Sequence, residues 1–171
     1  GFQTFIPHMV EHGEESHLMT TVSLAGLLPG SGTYGVSKHA VMALTEAVRN
    51  DLLARGANVS VSALCPGFVD TNIDRSERNR PSYLADPEVS LDKSGNSPVS
   101  QLLRRGKQPS EIADIVFEAI KEGVFYILPH PAWDEILHDR FEQMLSREPL
   151  PTPSQDKIAR IFMPRDDGES Y

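Results

Sequence analysis

The 171-residue chain is long enough for one domain with a hydrophobic core, and 39% hydrophobic and 23% charged residues is an ordinary globular composition. A net charge of −8 without a basic segment argues against nucleic-acid binding, and no apolar run reaches the roughly 18 residues of a membrane helix. The single cysteine excludes an internal disulfide, which fits a reducing compartment, so we expect a cytoplasmic protein. From the charge and the apolar runs we expect neither nucleic-acid nor membrane partners.

Hydrophobic periodicity predicts helices and strands that alternate along most of the chain. The predicted helices are 1–12, 33–55, 109–123 and 131–148, and the predicted strands are 17–23, 58–64 and 124–128. This alternation is typical of α/β proteins and predicts a partial Rossmann-like, doubly wound parallel sheet of about three strands with flanking helices. Segment 74–107 is polar and predicted to be irregular, with a short helix or two. The Pro-rich, charged segment 149–171 is predicted to be a loosely ordered tail beyond a domain spanning 1–148.

Two apolar stripes run along the predicted helix 33–55. The first stripe consists of small residues and the second of larger ones: Val36, Ala40, Ala43 and Ala47, then Val41, Leu44, Val48 and Leu52. A surface helix usually needs one apolar face, so two stripes predict burial against the sheet and against a partner helix. We therefore expect a homo-oligomer formed through helices 1–12 and 33–55. A central helix within a single domain is the alternative.

Tyr34 and Lys38 lie four residues apart at the start of this helix and therefore share one face. A free phenol, with a pKa of about 10, is a poor acid or base at neutral pH. A neighbouring ammonium favours the phenolate by up to about 4 kcal/mol at a separation of about 4 Å and an effective dielectric constant of about 20. The pair is a candidate for proton transfer, although Y-x-x-x-K also occurs as a surface pair without function.

Two further candidate segments follow predicted strands. Ser23 ends the first strand, at the edge of a parallel sheet where α/β sites are built, and its hydroxyl can bind a substrate oxygen or satisfy a turn. Pro66 and Gly67 follow the second strand, and glycine there allows the backbone to approach a ligand closely. Exposed backbone N–H groups and the Thr71 hydroxyl then become candidates for binding an amide or a phosphate.

Together, the segments SLAG at 23–26, YGVSK at 34–38 and PGFVDT at 66–71 resemble the short-chain dehydrogenase/reductase family. The resemblance is strong from Gly1 to Thr71 and looser up to about residue 145. It implies that an alcohol and a ketone are interconverted by hydride exchange with NADP or NAD. It also implies that Tyr34 exchanges a proton with the substrate oxygen and that Ser23 orients that oxygen.

The resemblance assigns cofactor contacts as well. Lys38 would favour the phenolate and bind the nicotinamide ribose, beside Tyr34. The segment beginning at Pro66 and Gly67 would hold the nicotinamide carboxamide through backbone groups near Val69, and Thr71 would reach the phosphates. In this family the region corresponding to 74–107 covers the substrate. Its arginines and Lys107 suggest either a basic lid over an acidic substrate or a solvated loop.

The chain also departs from the family pattern. The interval of eleven residues from Ser23 to Tyr34 is shorter than is common in the family. There is no GxGxxG. The Gly-rich cofactor loop, the residue that selects NAD or NADP, the Asn-Asn-Ala-Gly segment and the helix asparagine of the proton relay would all lie upstream of Gly1. We therefore expect the C-terminal catalytic portion of such an enzyme, with little turnover by these residues alone. An inactive remnant that acts as an association module is the alternative.

Other reactive side chains receive structural interpretations. His8 and His12 have a spacing that can bind zinc, but a solvated helix end explains them better, so we expect no metal. Cys65 has no evident base and is predicted to be a buried, inert thiol. His39 and His130 receive no role.

Overall fold

Three parallel strands form one sheet within residues 1–84 and 97–149, the residues described by the computed structural model. The strands are β1 (Ser16–Thr21), β2 (Val59–Leu64) and β3 (Tyr126–Ile127), in the order β1-β2-β3. β1 and β2 pair along their whole length, whereas β3 pairs with β2 only at Ala63 and Leu64. β2 is buried except at Ser60, as expected for an inner strand of a parallel sheet. The predicted partial Rossmann-like α/β fold is confirmed.

The helices agree closely with the sequence pattern. They are α1 (Phe2–His12), α2 (Gly32–Ala54), α3 (Pro98–Arg104), α4 (Pro109–Lys121) and α5 (Asp134–Ser146). The predicted helix 131–148 begins instead with a separate 3₁₀ turn, Pro131–Trp133, that precedes α5. Further 3₁₀ segments are Leu24–Gly26, Ile73–Asn79 and Ser82–Leu84. None of the helices in the described part of the chain is long and apolar enough to cross a bilayer.

The predicted strand 124–128 is much shorter than expected. Only Tyr126 and Ile127 are strand residues, and Tyr126 is 48% exposed. The Val124 carbonyl accepts a hydrogen bond from the Ser62 hydroxyl at 2.6 Å. At the other end Pro129 has no N–H with which to extend the ladder. The prediction of a fully buried five-residue strand was therefore wrong, because β3 lies at the end of the sheet order.

The described residues fall into two compact units. Residues 1–67 and 113–149 belong to the first unit, which contains the sheet, and residues 68–84 and 97–112 belong to the second. Within the second unit, Val69 forms an isolated parallel bridge with Lys107. Residues 85–96, which fall within the predicted irregular segment, and 150–171, which fall within the predicted tail, lie outside the described residues.

Helix α2 supplies much of the core of the first unit. Met42 packs in a buried cluster with Val22, Ala63 and Cys65. Farther along the helix, Leu52 packs with Val59 and Val61, and this second cluster also receives Ile6 and Met9 of α1. Because α2 contributes to both clusters, it fixes its own N-terminal turn relative to the carboxyl ends of β1 and β2.

The two predicted stripes of α2 differ in burial. The small-residue stripe is exposed throughout, with Val36 at 72%. The larger stripe was only partly correct, since Leu52 is buried but Leu44 is 51% exposed. Fully buried Thr45 lies on the inner face instead, because its hydroxyl donates to the Val41 carbonyl at 2.7 Å and needs no water.

Candidate active site

Ser23 lies just beyond the carboxyl end of β1 and begins the 3₁₀ turn Leu24–Gly26. Its hydroxyl oxygen accepts a hydrogen bond from the backbone N–H of Ala25 at 3.1 Å. The same hydroxyl donates to the carbonyl of Pro66, at the long distance of 3.5 Å. A bond this long is weak, so redirecting the O–H towards another oxygen costs little.

Tyr34 and Lys38 project from the first turns of α2, as their spacing predicts. The Tyr34 side chain is accessible, with the residue 44% exposed. The Lys38 ammonium nitrogen lies 5.6 Å from the centroid of the Tyr34 ring, within the range of a cation–π contact. The same ammonium donates to the backbone carbonyl of Thr21 at 3.3 Å. Lys38 therefore connects the phenol-bearing turn to the end of β1, two residues before Ser23.

A close backbone contact brings the Ser23 turn against α2. A Cβ atom on Gly26 would lie 2.8 Å from the backbone carbonyl oxygen of Lys38 and 2.6 Å from a methyl group of Val22. Such distances are too short for non-bonded carbon and oxygen atoms, so only glycine allows this approach. The glycine in the Ser-Leu-Ala-Gly segment thus holds the serine turn directly against the lysine of the helix.

The peptide group between Pro66 and Gly67 is hydrogen-bonded at both ends. Its carbonyl oxygen accepts from the backbone N–H of Leu24 at 3.0 Å. Its N–H donates to the Nδ1 atom of His130 at 3.1 Å. The bend after β2 is thereby tied to the serine turn after β1 and to the segment after β3, and the carboxyl ends of all three strands meet around it.

Val69 and Thr71 belong to the second unit. Val69 is half-buried beside its bridge partner Lys107, and the Asp70 N–H donates to the Lys107 carbonyl at 3.0 Å. The Thr71 side chain is exposed. The first unit therefore contains Ser23, Tyr34, Lys38, Pro66 and Gly67. The remaining two predicted cofactor residues, Val69 and Thr71, belong to the second unit.

Two arginines of the expected basic lid bind within their own segment. Arg78 donates to the carbonyls of Asn72 and Arg75 at 2.7 Å and 2.8 Å, and Arg80 donates to the Glu77 carboxylate at 2.6 Å. These contacts stabilise the 3₁₀ segment Ile73–Asn79 and partly neutralise its positive charge. They favour the interpretation of a folded surface segment over that of a basic lid.

Three residues without an assigned role in the sequence form hydrogen bonds to a predicted site residue or to a chain segment beside one. His130 is 2% exposed, follows β3 and binds Gly67. His39 Nδ1 lies 2.9 Å from the Gly35 carbonyl, and its Nε2 lies 3.4 Å from Arg140 Nη1, which also donates to the Leu27 carbonyl. Since arginine can only donate, Nε2 of His39 is the acceptor and Nδ1–H is the donor. His130 was detectable in principle, because the ends of parallel strands share one edge of a sheet.

Cys65 is buried beside the site and is chemically quiet. It is 0% exposed, and burial is the main cause that raises its pKa to about 11. A thiol that remains protonated near neutral pH is a poor nucleophile. The prediction that Cys65 is buried is confirmed. Separately, a cavity of about 400 Å³ lies between α2 and β3, lined by Glu46, Arg49, Asn50, Phe125 and Tyr126. None of these residues is a predicted site residue.

The site combines an accessible phenol, a neighbouring ammonium, a weakly bonded hydroxyl and a fixed peptide bend. An accessible phenol can exchange a proton with a bound oxygen, and the ammonium can donate hydrogen bonds to a ligand. The serine hydroxyl can orient an oxygen through a hydrogen bond. None of these groups is an acceptor for electrons, so oxidation or reduction here requires a bound redox cofactor.

Comparison with known proteins relates this chain to a family. Residues 1–82 match the sequence model of the family described as short chain dehydrogenase. The CLA biosynthesis dehydrogenase/reductase of Lactiplantibacillus plantarum is 32% identical over 148 residues, which cover 82% of this chain and 52% of that protein. The 1-deoxy-11-beta-hydroxypentalenate dehydrogenase of Streptomyces avermitilis is 34% identical over 167 residues, covering 95% of this chain and 54% of that protein.

The fold comparison agrees with the sequence comparison. A short-chain dehydrogenase/reductase from Burkholderia phymatum, solved in complex with NAD, is 39% identical and superposes with a TM-score of 0.79. The match covers 90% of this chain and 57% of that structure. The chain spans about half the length of the curated relatives it matches. By its matched residues and its fold, the chain belongs to the short-chain dehydrogenase/reductase family.

Proposed function

We propose that this chain carries the proton-transfer site and part of the nicotinamide site of an NAD- or NADP-dependent oxidoreductase that interconverts an alcohol and a ketone. One observation carries the proposal. The Lys38 ammonium contacts both the Tyr34 ring and the Thr21 carbonyl at the end of β1, beside the turn that begins at Ser23. The family consists of dehydrogenases and reductases, so we expect hydride transfer to accompany proton transfer at these residues.

Each of the three residues has a separate role in the proposed reaction. Oxidation removes a hydride from the carbinol carbon and a proton from the hydroxyl oxygen, and leaves a ketone. Tyr34, as phenolate, takes the proton from the substrate oxygen, and in the reverse direction it returns the proton as phenol. The Ser23 hydroxyl turns from Pro66 towards the same oxygen and orients it. Lys38 places a positive charge 5.6 Å from the centre of the ring that carries the reacting phenol.

The residues present fit a nicotinamide nucleotide. Bound NAD or NADP supplies the hydride acceptor, and its reduced form supplies the hydride donor. The Lys38 ammonium has three N–H donors, and its bond to Thr21 uses one, which leaves donors for ribose hydroxyls. Backbone groups from Pro66 and Gly67 onward, near Val69, would bind the carboxamide, and the exposed Thr71 hydroxyl would bind phosphate. The oxygen of a carbonyl substrate would accept hydrogen bonds from the hydroxyls of Ser23 and Tyr34.

Cofactor titration tests this proposal. Adding NADH and NADPH separately to the full encoded protein should give saturable enhancement of nicotinamide fluorescence with at least one of them. Lys38→Met should weaken that binding by about tenfold through loss of charge-assisted hydrogen bonds. Lys121→Met is the matched control, since Lys121 pairs with Glu118 on the surface of α4. Absence of binding to either cofactor by the wild-type protein would overturn the proposal.

The second candidate function is an association module without catalysis. It is favoured by the exposed small-residue stripe of α2, together with the exposed Phe5 and Val10 of α1. We propose that these helices form the interface of a homo-oligomer, because exposed apolar surface on a folded protein often marks an interaction site. Association is compatible with catalysis, so cofactor titration separates an active oligomer from an inactive module.

A further inference from the structure

We propose that His130 is a positioning residue that holds the nicotinamide-binding bend in place through the backbone N–H of Gly67. The inference rests on the proposed function, since it assigns this bend to the cofactor. His130 would touch neither the cofactor nor the substrate. It would act by fixing the orientation of the peptide group between Pro66 and Gly67.

The hydrogen bonds around this peptide group define its plane. The carbonyl of Pro66 accepts from Leu24 N–H at 3.0 Å and from the Ser23 hydroxyl at 3.5 Å. The N–H of Gly67, on the opposite side of the same planar unit, donates to His130 Nδ1 at 3.1 Å. Rotation of the peptide would break the bonds on both sides. The two bonds to the Pro66 carbonyl come from the serine turn. The one bond described for the Gly67 N–H comes from His130.

His130 is itself held rigidly. It is 2% exposed and lies between Pro129 and Pro131, whose rings restrict the backbone around it. Its carbonyl accepts from Trp133 N–H at 3.1 Å, which closes the 3₁₀ turn before α5. Because Gly67 N–H can only donate, Nδ1 of His130 must carry no proton. The imidazole is therefore an acceptor with a fixed position.

Packing around Gly67 supports the same arrangement. A Cβ atom on Gly67 would lie 3.3 Å from Cγ of His130, 3.2 Å from Nε1 of Trp133 and 3.3 Å from a methyl group of Leu24. The imidazole and indole thus contact the bend directly on one side. A ligand bound by the bend must therefore approach from another side. His130 and Trp133 support the bend on the side that they occupy.

The test compares two ligands and two variants in the full encoded protein. NADH contains the nicotinamide, whereas ADP-ribose lacks it and is otherwise the same molecule. His130→Phe keeps an aromatic ring but removes the acceptor, and His130→Asn keeps an acceptor near the position of Nδ1. We expect His130→Phe to weaken NADH binding about tenfold and ADP-ribose binding less than about twofold. His130→Asn should restore NADH affinity to within about threefold of wild type.

The outcomes separate the inference from the function on which it rests. Equal NADH affinity in wild type and His130→Phe would overturn the positioning role while leaving the oxidoreductase proposal intact. Equal weakening of both ligands would also overturn it, since general loss of structure affects the whole nucleotide. If wild-type protein binds neither NADH nor NADPH, the proposed function fails and this inference fails with it.

A measurement on the wild-type protein covers the case in which His130→Phe does not fold. The ¹⁵N signal of the His130 ring should show an unprotonated Nδ1, and the Gly67 amide should exchange slowly with deuterium. Addition of NADH should shift the Gly67 amide signal, and ADP-ribose should shift it far less. A protonated Nδ1 in the folded protein at neutral pH would contradict the assignment.

Discussion

At the scale of single residues, the proposed site depends on a phenol that is accessible and close to a fixed positive charge. Tyr34 is 44% exposed, and the Lys38 ammonium lies 5.6 Å from the ring centroid. The proposed mechanism requires this exposure, because in it the Tyr34 hydroxyl reaches a substrate oxygen. It also means that the hydroxyl contributes little to the stability of the fold.

Tyr34→Phe should therefore separate catalysis from folding. We expect turnover to fall by on the order of 10³-fold, because the proton-transfer group is lost. The free energy of unfolding should change by less than about 0.5 kcal/mol. Steady-state kinetics and urea denaturation measure the two effects. Tyr126→Phe is the control, since this phenol donates to Glu46 at 2.7 Å, away from the proposed site, and its loss should leave turnover unchanged. Wild-type rates for Tyr34→Phe would refute the mechanism.

Cys65 provides a residue-scale prediction about pH. Burial raises the pKa of this thiol to about 11, so the folded protein keeps a proton that the unfolded chain loses near pH 9. The contribution to stability is complete below about pH 9 and is lost as the pH rises towards 11. Native protein should therefore resist alkylation by iodoacetamide at pH 8, and urea-unfolded protein should react readily. The chain has one cysteine, so mass spectrometry assigns the adduct directly. Rapid labelling of the native protein at pH 8 would contradict this burial.

At the scale of elements, the sequence predicted helices better than it predicted the edge of the sheet. Helical periodicity and the β-branched run of β2 are local signals, and α1, α2, α4 and β2 follow them closely. The length of β3 depends instead on what its backbone groups contact. The bond from Ser62 to Val124 spans a sequence separation of 62 residues, which no local pattern encodes.

The same distinction applies to the candidate site. Ser23, Tyr34 and Lys38 were predicted as site residues because their spacing is a motif, and the structure brings the end of β1 close to the start of α2 through the bond from Lys38 to Thr21. The role of His130 depends on a contact with Gly67, 63 residues away in the chain. The burial pattern of α2 was only partly predictable. The periodicity favoured Leu44 as a core residue, whereas Thr45 is buried there because its hydroxyl donates a hydrogen bond to the Val41 carbonyl.

A prediction at the element scale concerns the contact between the serine turn and α2. Gly26→Ala would place a Cβ atom 2.8 Å from the Lys38 carbonyl oxygen, so the turn must move away from the helix. We expect a loss of about 2 kcal/mol in stability and a fall of several degrees in Tm. Turnover should fall further than the folded fraction does, because the turn carries Ser23.

Calorimetry and kinetics on the same preparation measure these two losses. Gly1→Ala is the control, since a Cβ there would meet no atom within 4 Å. A Gly26→Ala protein with wild-type Tm and turnover would show that the turn does not pack on α2 as described.

At the scale of the whole molecule, the exposed apolar surface of α1 and α2 remains to be explained. The side of α2 that faces the core carries Met42, Thr45 and Leu52, whereas Val36 and the three alanines of its stripe face outward. Small side chains let two helix backbones approach closely, so the stripe suits another helix better than it suits water. A cytoplasmic location, by contrast, stays a prediction of composition alone.

Ala43→Glu tests whether that surface joins two copies of the protein. Ala43 is exposed within the chain, and glutamate is a good helix former, so the fold of each subunit should be unaffected. A charge buried without a partner at an interface is costly, and the oligomer should therefore dissociate. Light scattering coupled to size-exclusion chromatography of the full encoded protein should show a reduced mass. Ala113→Glu, at an exposed position on α4, should leave the mass unchanged. If Ala43→Glu lowers Tm without changing the mass, another segment of the same chain covers the stripe, and the homo-oligomer proposal is wrong.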